Sequence, residues 1–326
     1  MSAVTGLYRK QRRMVFEMSA ATHLIALDWG TTSLRAVLMD THGNTLREAS
    51  SADGIMSAAE RGFGQVFDSV AGNWLQDYPQ TAVLAAGMIG SRQGWCEAPY
   101  VPCPAGFSEL GQALVWIENA GVPIGLVPGL AMEHDHGMPD VMRGEEVQVF
   151  GALDALGLDD GIFVLPGTHS KWVVVENRRI VRFHSFMTGE VFALLRQHSI
   201  LSRLMPPTDT TPWETGCDSF LAACAVAAEG ALLHNLFTVR SQGLFGKLPE
   251  ALQSDYLSGL VIGEEIREAL SLIGSPPECI HLVCSSALFQ RYQAALSVFG
   301  IGGADCVPQA SFRGMLAIAR ERALIR

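Results

Sequence analysis

A chain of 326 residues, 48% of them hydrophobic and only 17% charged, can bury a sizeable core; this excludes a disordered chain, and the length favours two domains over one. The formal net charge is -10, and Lys and Arg cluster only at Arg9-Lys10-Gln11-Arg12-Arg13. Extended phosphate backbones need clustered cations, so nucleic acid is excluded as a main partner, and an anionic small molecule must be held by a few placed donors and a metal.

Residues 1–21 form an N-terminal extension that carries charge but no apolar core of signal-peptide length, and no later segment has ~18 uninterrupted apolar residues. The expectation is a protein that is neither secreted nor membrane-spanning. Seven cysteines, at 96, 103, 217, 224, 279, 284 and 306, include no C-x-x-C pair and cannot close into a complete disulfide set, which fits a reducing cytoplasm.

The ordered pattern begins with Leu24-Ile25-Ala26-Leu27, a buried strand that stops at Asp28-Trp29-Gly30-Thr31-Thr32-Ser33. Leu34 to Met39 and Thr45 to Ala49 then complete a three-stranded antiparallel meander around the turn His42-Gly43-Asn44. A helical stretch from Gly64 to Asp77 follows, and the strand Ala82–Ala86 ends in the glycine-punctuated loop Gly87 to Trp95. Ile124 to Gly129 is strand-like, and Glu145 to Leu156 has helical spacing.

The opening pattern then recurs. Ile162 to Leu165 is a strand, Pro166-Gly167-Thr168-His169-Ser170-Lys171 a turn, Trp172 to Val175 a strand, and Asn177-Arg178-Arg179 a turn into Ile180 to Phe183. Two such units suggest an internal duplication in which each half offers one hairpin loop. The remainder is largely helical until a strand at Ile280 to Cys284, which Ser285-Ser286 joins to a helix over 287–298.

Phosphate tails need backbone N–H donors, close approach and hydroxyls, which Gly, Thr and Ser supply. Gly30, Thr31, Thr32 and Ser33 are one candidate set; Gly167, Thr168, His169 and Ser170 are the other. Asp28, at the end of the first strand, is placed to hold Mg²⁺ directly or through water. Neither G-x-x-x-x-G-K-[ST] nor a G-x-G-x-x-G after a strand is present, so a nucleotide must be bound in another way.

These residues resemble the actin, hexokinase and Hsp70 superfamily. Asp28 to Ser33, Gly87 to Trp95, Asp140-Val141-Met142-Arg143-Gly144-Glu145-Glu146, Pro166 to Trp172, Met187-Thr188-Gly189-Glu190 and Leu257 to Gly263 are more narrowly similar to the 2-dehydro-3-deoxygalactonokinases. The resemblance implies an α/β fold of two actin-like (ribonuclease H-like) halves, with mixed five-stranded sheets and flanking helices around a central cleft. The halves are expected at 22–128 and 129–326. It also implies transfer of the ATP γ-phosphoryl group to 2-dehydro-3-deoxy-D-galactonate, with ATP and Mg²⁺ as cofactors and a sugar acid as the small-molecule partner. A homodimer stays open. The alternatives are a kinase for another small sugar or ketodeoxy acid, or a non-kinase ATPase or phosphatase of the same fold.

The resemblance places adenosine at the turn after Val283, where Cys284, Ser285 and Ser286 stand in place of an expected glycine. Arg92, Arg143 and Lys171 are its candidates for the substrate, since a fork of Arg donors suits a planar carboxylate. Its general base lies near the start of the helix before the second loop. Asp140, read as a loop residue projecting from the chain, is favoured slightly over Glu145 at the helix start. His134 and His136 alternate like metal ligands but lack a partner cluster, and are read as an exposed loop.

Overall fold

The computed structural model describes residues 20–134, 137–208, 211–274, 279–302, 307 and 310–326. The N-terminal extension up to residue 19, His136 and Cys306 lie outside them. Two compact units result: residues up to Asp160 with Val174–Phe183 and Gln309–Arg326, and Gly161–Val173 with His184–Pro308. The boundary expected at 128 differs from this partition. Residues 129–160 stay with the first unit because helix Glu145–Leu156 packs on the C-terminal helix Ala310–Glu321. Gly151 and Gly314 permit that contact, since a Cβ at either would stand 1.8 or 1.9 Å from a carbonyl of the opposite helix.

The first unit is built on strands β1 (His23–Trp29), β2 (Leu34–Asp40) and β3 (Thr45–Ser51), followed by α1 (Ile55–Arg61). Then come α2 (Phe63–Phe67), a π-helical turn (Asp68–Gly72), α3 (Asn73–Asp77), β4 (Thr81–Ala86), β5 (Val101–Pro102), α4 (Phe107–Gln112), β6 (Val115–Asn119) and β7 (Val122–Leu126). Its main sheet has the order β3-β2-β1-β4-β7-β6, with β1 antiparallel to β2 and parallel to β4. Both central strands are buried almost throughout, as strands covered on two faces must be, and they read in sequence as continuous apolar runs. Strands β8 (Leu130–Glu133) and β9 (Pro139–Met142) form a small second sheet with β5, and α5 (Glu145–Leu156) follows.

Strands β10 (Gly161–Leu165), β11 (Ser170–Glu176) and β12 (Arg179–Phe186) repeat the opening meander. The sheet order is β12-β11-β10-β13, with β13 (His281–Leu282) parallel to β10 as β4 is to β1. The helices of this half are α6 (Thr188–His198), α7 (Trp213–Ala228), α8 (Leu232–Leu244), α9 (Gln253–Ile273) and α10 (Ser286–Val298); α11 (Ala310–Glu321) returns to the first unit. Meander plus parallel fourth strand, twice over, is the actin-like α/β arrangement. The sheets carry six and four strands among the described residues rather than five each, because β6 hairpins onto β7 and widens the first sheet.

The motif Leu257 to Gly263 is a packing device. Gly259 and Gly263 lie one turn apart on α9, and a Cβ on Gly259 would meet the Phe220 carbonyl of α7 at 2.2 Å. Two glycines on one face let these helices touch backbone to backbone.

Candidate active site

The first loop, Gly30 to Ser33, joins β1 to β2. Thr31, Thr32 and Ser33 are exposed, and the loop closes with the Gly30 amide donating to the Ser33 carbonyl at 2.9 Å. Its other carbonyls face the start of α1: Ile55 N–H donates to Gly30 O at 3.0 Å and Met56 N–H to Thr31 O at 3.4 Å. Gly54 makes this approach possible, since a Cβ there would stand 2.2 Å from Thr31 O. Trp29, fully buried, donates its indole N–H to Asp53 O at 2.9 Å and packs edge-on against Phe63 and Trp95. Asp28 Oδ2 accepts from Arg35 and, at 2.9 Å, from the hydroxyl of Ser311.

Asp140 lies within β9 opposite Met132, not in a projecting loop; the expectation failed because Pro139 reads as a breaker, yet Pro is tolerated as the first residue of a strand. Its Oδ2 is 3.3 Å from His134 Nε2, and its Oδ1 accepts from the Val141 amide at 2.7 Å. Among the described residues no group of three metal-ligand side chains occurs, around His134 or elsewhere.

Glu145 is the first residue of α5, and its Oε2 accepts from the Arg143 amide at 2.9 Å. Glu146, fully buried beside it, accepts from the Gly144 amide at 2.9 and 2.7 Å. Burial foremost, then the neighbouring Glu145, pushes the Glu146 carboxyl up to about 8. Gly144, at φ 103°, brings this helix start against Gly87: a Cβ on Gly144 would be 3.2 Å from Gly87 Cα.

The expected substrate cations separate. The Arg92 side chain is 86% exposed and donates to Glu97 at 3.1 Å. Arg143 turns inward instead: its guanidinium lies 4.4 Å from the centre of the Tyr100 ring, and Nη2 donates to Ala98 O at 2.7 Å. Lys171 is buried in β11.

The second loop, Gly167 to Ser170, repeats the first in construction. The start of α6 docks on it, with Glu190 N–H donating to Thr168 O at 3.0 Å, and Gly189 permits the contact because its Cβ would meet Gly167 O at 2.4 Å. His169 Nε2 lies 2.6 Å from Glu190 Oε2. Ser170 departs from expectation. It is fully buried as the first residue of β11 and donates to Glu265 at 2.7 Å, so its hydroxyl faces the core rather than the loop's open side.

Glu265 on α9 is the residue that sequence reasoning missed. It is 3% exposed and accepts from Ser170, Trp172 Nε1 and Tyr292, each at 2.7 Å, with Thr188 as a further partner. Burial raises its carboxyl above the ordinary range, and these hydrogen bonds oppose the rise. The available signal was a glutamate closing the apolar, glycine-spaced run of α9.

Beside Gly167 and Gly189 lies a cavity of about 190 Å³, walled by Phe192, Val261, Ile262, Leu288 and Arg291 with Ser254 and Ser258. Arg291 is held by Asp255 at 2.7 Å, and its guanidinium lies 5.1 Å from the centre of the Trp213 ring and 5.5 Å from that of Phe220. The helix that carries Leu288 and Arg291 begins at Ser286, with exposed Ser285 as its N-cap; Cys284 is half-buried just before. The expected strand into this turn is shorter than read, spanning only His281–Leu282.

Two hairpin loops of one construction, each on an actin-like sheet, are the arrangement of the actin-like ATPase class. The sequence profile of the 2-keto-3-deoxy-galactonokinases matches residues 28–318. A protein of Rhizobium meliloti, named a probable 2-dehydro-3-deoxygalactonokinase, is 37% identical over 87% of this chain and 92% of its own length. The 2-dehydro-3-deoxygalactonokinase of Escherichia coli is 37% identical over 85% and 90%. A crystal structure ascribed to the same kinase, from Sinorhizobium meliloti, superposes with a TM-score of 0.83 at 36% identity and covers 91% of this chain and 98% of its own. The chain belongs to the 2-dehydro-3-deoxygalactonokinase family. It is a kinase, which implies ATP as phosphoryl donor. Among the described residues no helix is long and apolar enough to cross a membrane.

Proposed function

We propose that the protein transfers the γ-phosphoryl group of ATP to the 6-hydroxyl of 2-dehydro-3-deoxy-D-galactonate, a step of galactonate and galactose breakdown in the cytoplasm. The observation that carries this reading is the paired construction of the loops, each braced from behind by the start of the next helix so that its outer side stays open. Phosphate cradling is then assigned to Gly30, Thr31, Thr32 and Ser33 in the first unit and to Gly167, Thr168 and His169 in the second. The cavity beside Gly167 is of mixed character, apolar walls with a few hydroxyls and one guanidinium, and suits a nucleoside. Ser285 and Ser286 head the helix that forms one of its walls.

Mg²⁺ fits the first unit through Asp28, a hard oxygen donor whose Oδ2 is engaged by Arg35 and Ser311 while Oδ1 is left for a metal-bound water. When bound, the ion would neutralise charge on the phosphates. Of the three cations, Arg92 has the open guanidinium and is assigned to the substrate carboxylate; Arg143 positions the loop from Gly87 to Ala98. Glu145 is assigned as general base, because it stands at the helix start while Asp140 is tied into a strand and to His134. It would take the proton of the attacking hydroxyl, and each loop would offer backbone N–H groups to phosphate.

A coupled assay of ADP formation tests this reading. The sugar acid should stimulate ADP release in the presence of Mg²⁺, and folded protein without acceptor-dependent turnover would overturn the proposal. Glu145→Gln should lower kcat by roughly 10²–10⁴-fold with ATP binding retained. Asp140→Asn should stay within about threefold of the parent, well short of that range; the reverse outcome would reassign the base.

A further inference from the structure

Helix α8 is apolar on two faces. Leu232, Leu236 and Val239 turn into the core of the second unit, where Val239 is fully buried. On the other side Leu233 is 87% exposed, Phe237 60%, Leu244 60% and, just beyond the helix, Phe245 81%. Positions 233, 237, 240 and 244 follow the alternating four-and-three spacing of a seam that packs on another helix. A helix with two apolar faces is one with partners on both sides, and among the described residues this chain covers only the inner face.

Three features identify the outer partner. The first is charge: between Leu232 and Leu244 there is no acidic residue, in a chain whose formal net charge is -10. Two acidic molecules can meet here without like charges opposed. The second is symmetry. Leu233 and Leu244 are equidistant from the point between Thr238 and Val239, as are Phe237 and Arg240. An antiparallel copy of the same helix therefore sets Leu233 against the copy's Leu244, and Phe237 against the copy's Arg240 in a cation–π contact. The third is area. Arg240 Nη1 donates to the Ile200 carbonyl at 3.3 Å, which joins half-exposed Ile200 to the seam. With the two leucines and two phenylalanines it exposes roughly 600 Å², at the upper limit for a monomer's free surface. That is most of the ~800 Å² each partner gives to a standard interface.

We propose that this face is the interface of a homodimer, in which α8 packs antiparallel on α8 of a second copy across a two-fold axis. Sedimentation equilibrium of the full chain over a range of concentrations should give a dimer. Phe237→Glu should shift it to monomer while kcat and the thermal midpoint stay at the parent values, which separates loss of an interface from loss of folding. The register has its own readout: a variant carrying both Leu233→Cys and Leu244→Cys should form a disulfide-linked dimer on mild oxidation, whereas either single variant should not exceed the parent's background. A chain that is monomeric at every concentration, as it would be if another protein covered this face, overturns the proposal. So does a dimer that survives Phe237→Glu, or one cross-linked as well by a single cysteine.

Discussion

The loops Gly30 to Ser33 and Gly167 to Ser170 share a sequence signature and a rear support, yet they are anchored from below in different ways. Under the first, Trp29 donates its indole N–H to a backbone carbonyl, that of Asp53. Under the second, Trp172 and Ser170 donate to a carboxylate, Glu265, which also takes Tyr292 of α10. A carbonyl anchor is part of the chain and cannot be lost by substitution. A buried carboxylate ties four elements together at one point, and the second loop depends on it. The two loops thus each have a bracing helix while the support beneath them differs.

The largest effect should come from removing that point. Glu265→Ala leaves several buried donors without an acceptor, each worth about 1–3 kcal/mol, and should cost on the order of 4 kcal/mol or more in urea unfolding. Glu265→Gln keeps an acceptor oxygen and should fold, with a raised KM for ATP and a smaller change in KM for the sugar acid. Equal changes in both constants would mean that Glu265 supports the whole molecule rather than the second loop.

The first unit has its own buried carboxylate, but one step removed: Glu146 caps Gly144, Gly144 abuts Gly87, and a Cβ on Gly87 would stand 2.9 Å from the carbonyl of Trp29. It carries a pH signature. The folded protein keeps the Glu146 proton up to about pH 8 against an ordinary value of 4.5, so unfolding between those values releases a proton and stability falls as pH rises through that window. Glu146→Gln cannot ionise. Its stability relative to the parent should improve by about 3 kcal/mol between pH 5 and pH 8, measured as the shift in urea midpoint. Parallel pH profiles would show that Glu146 is ionised in the fold.

The paired glycines come next. Gly54→Ala and Gly189→Ala each push a methyl group into a loop carbonyl, at 2.2 and 2.4 Å, which only a backbone shift can relieve at about 1–3 kcal/mol. If the loops are equivalent, both variants should raise KM for ATP to a similar extent. An effect confined to one would break the equivalence.

Much of this was legible in the chain. The apolar runs gave the central strands, and the repeat of strand, Gly-Thr turn, strand and turn gave both meanders with their loops. The helix starting at Glu145 was read to the residue because Gly144 before it and Gly157 after it, both at positive φ, punctuate an apolar period. What stayed hidden depended on distant partners. Pro139 concealed β9, whose pairing with β8 decides that Asp140 is a strand residue. The pairing of β6 with β7 added a strand that periodicity did not announce. Ser170 and Glu265 are 95 residues apart, and no local pattern says that they meet. Nor does the segment around Arg143 say that its guanidinium meets the Tyr100 ring and the Ala98 carbonyl, more than forty residues away.

The smallest effects separate the two serines, which the signature alone treats as equals. Ser33 is exposed and Ser170 fully buried with its hydroxyl on Glu265. Ser33→Ala should therefore leave the urea midpoint unchanged, as exposed substitutions generally stay within about 0.5 kcal/mol. It should raise KM for ATP by about 3–10-fold if its hydroxyl donates to a phosphate, the loss of one hydrogen bond of about 0.5–1.5 kcal/mol. Ser170→Ala should do the converse. It takes one donor from Glu265 and leaves a small gap, lowering stability by about 1 kcal/mol, while KM for ATP moves less than in Ser33→Ala. Should Ser170→Ala instead raise KM at unchanged stability, its hydroxyl leaves Glu265 for the nucleotide, and the two loops are alike in chemistry as well as in sequence.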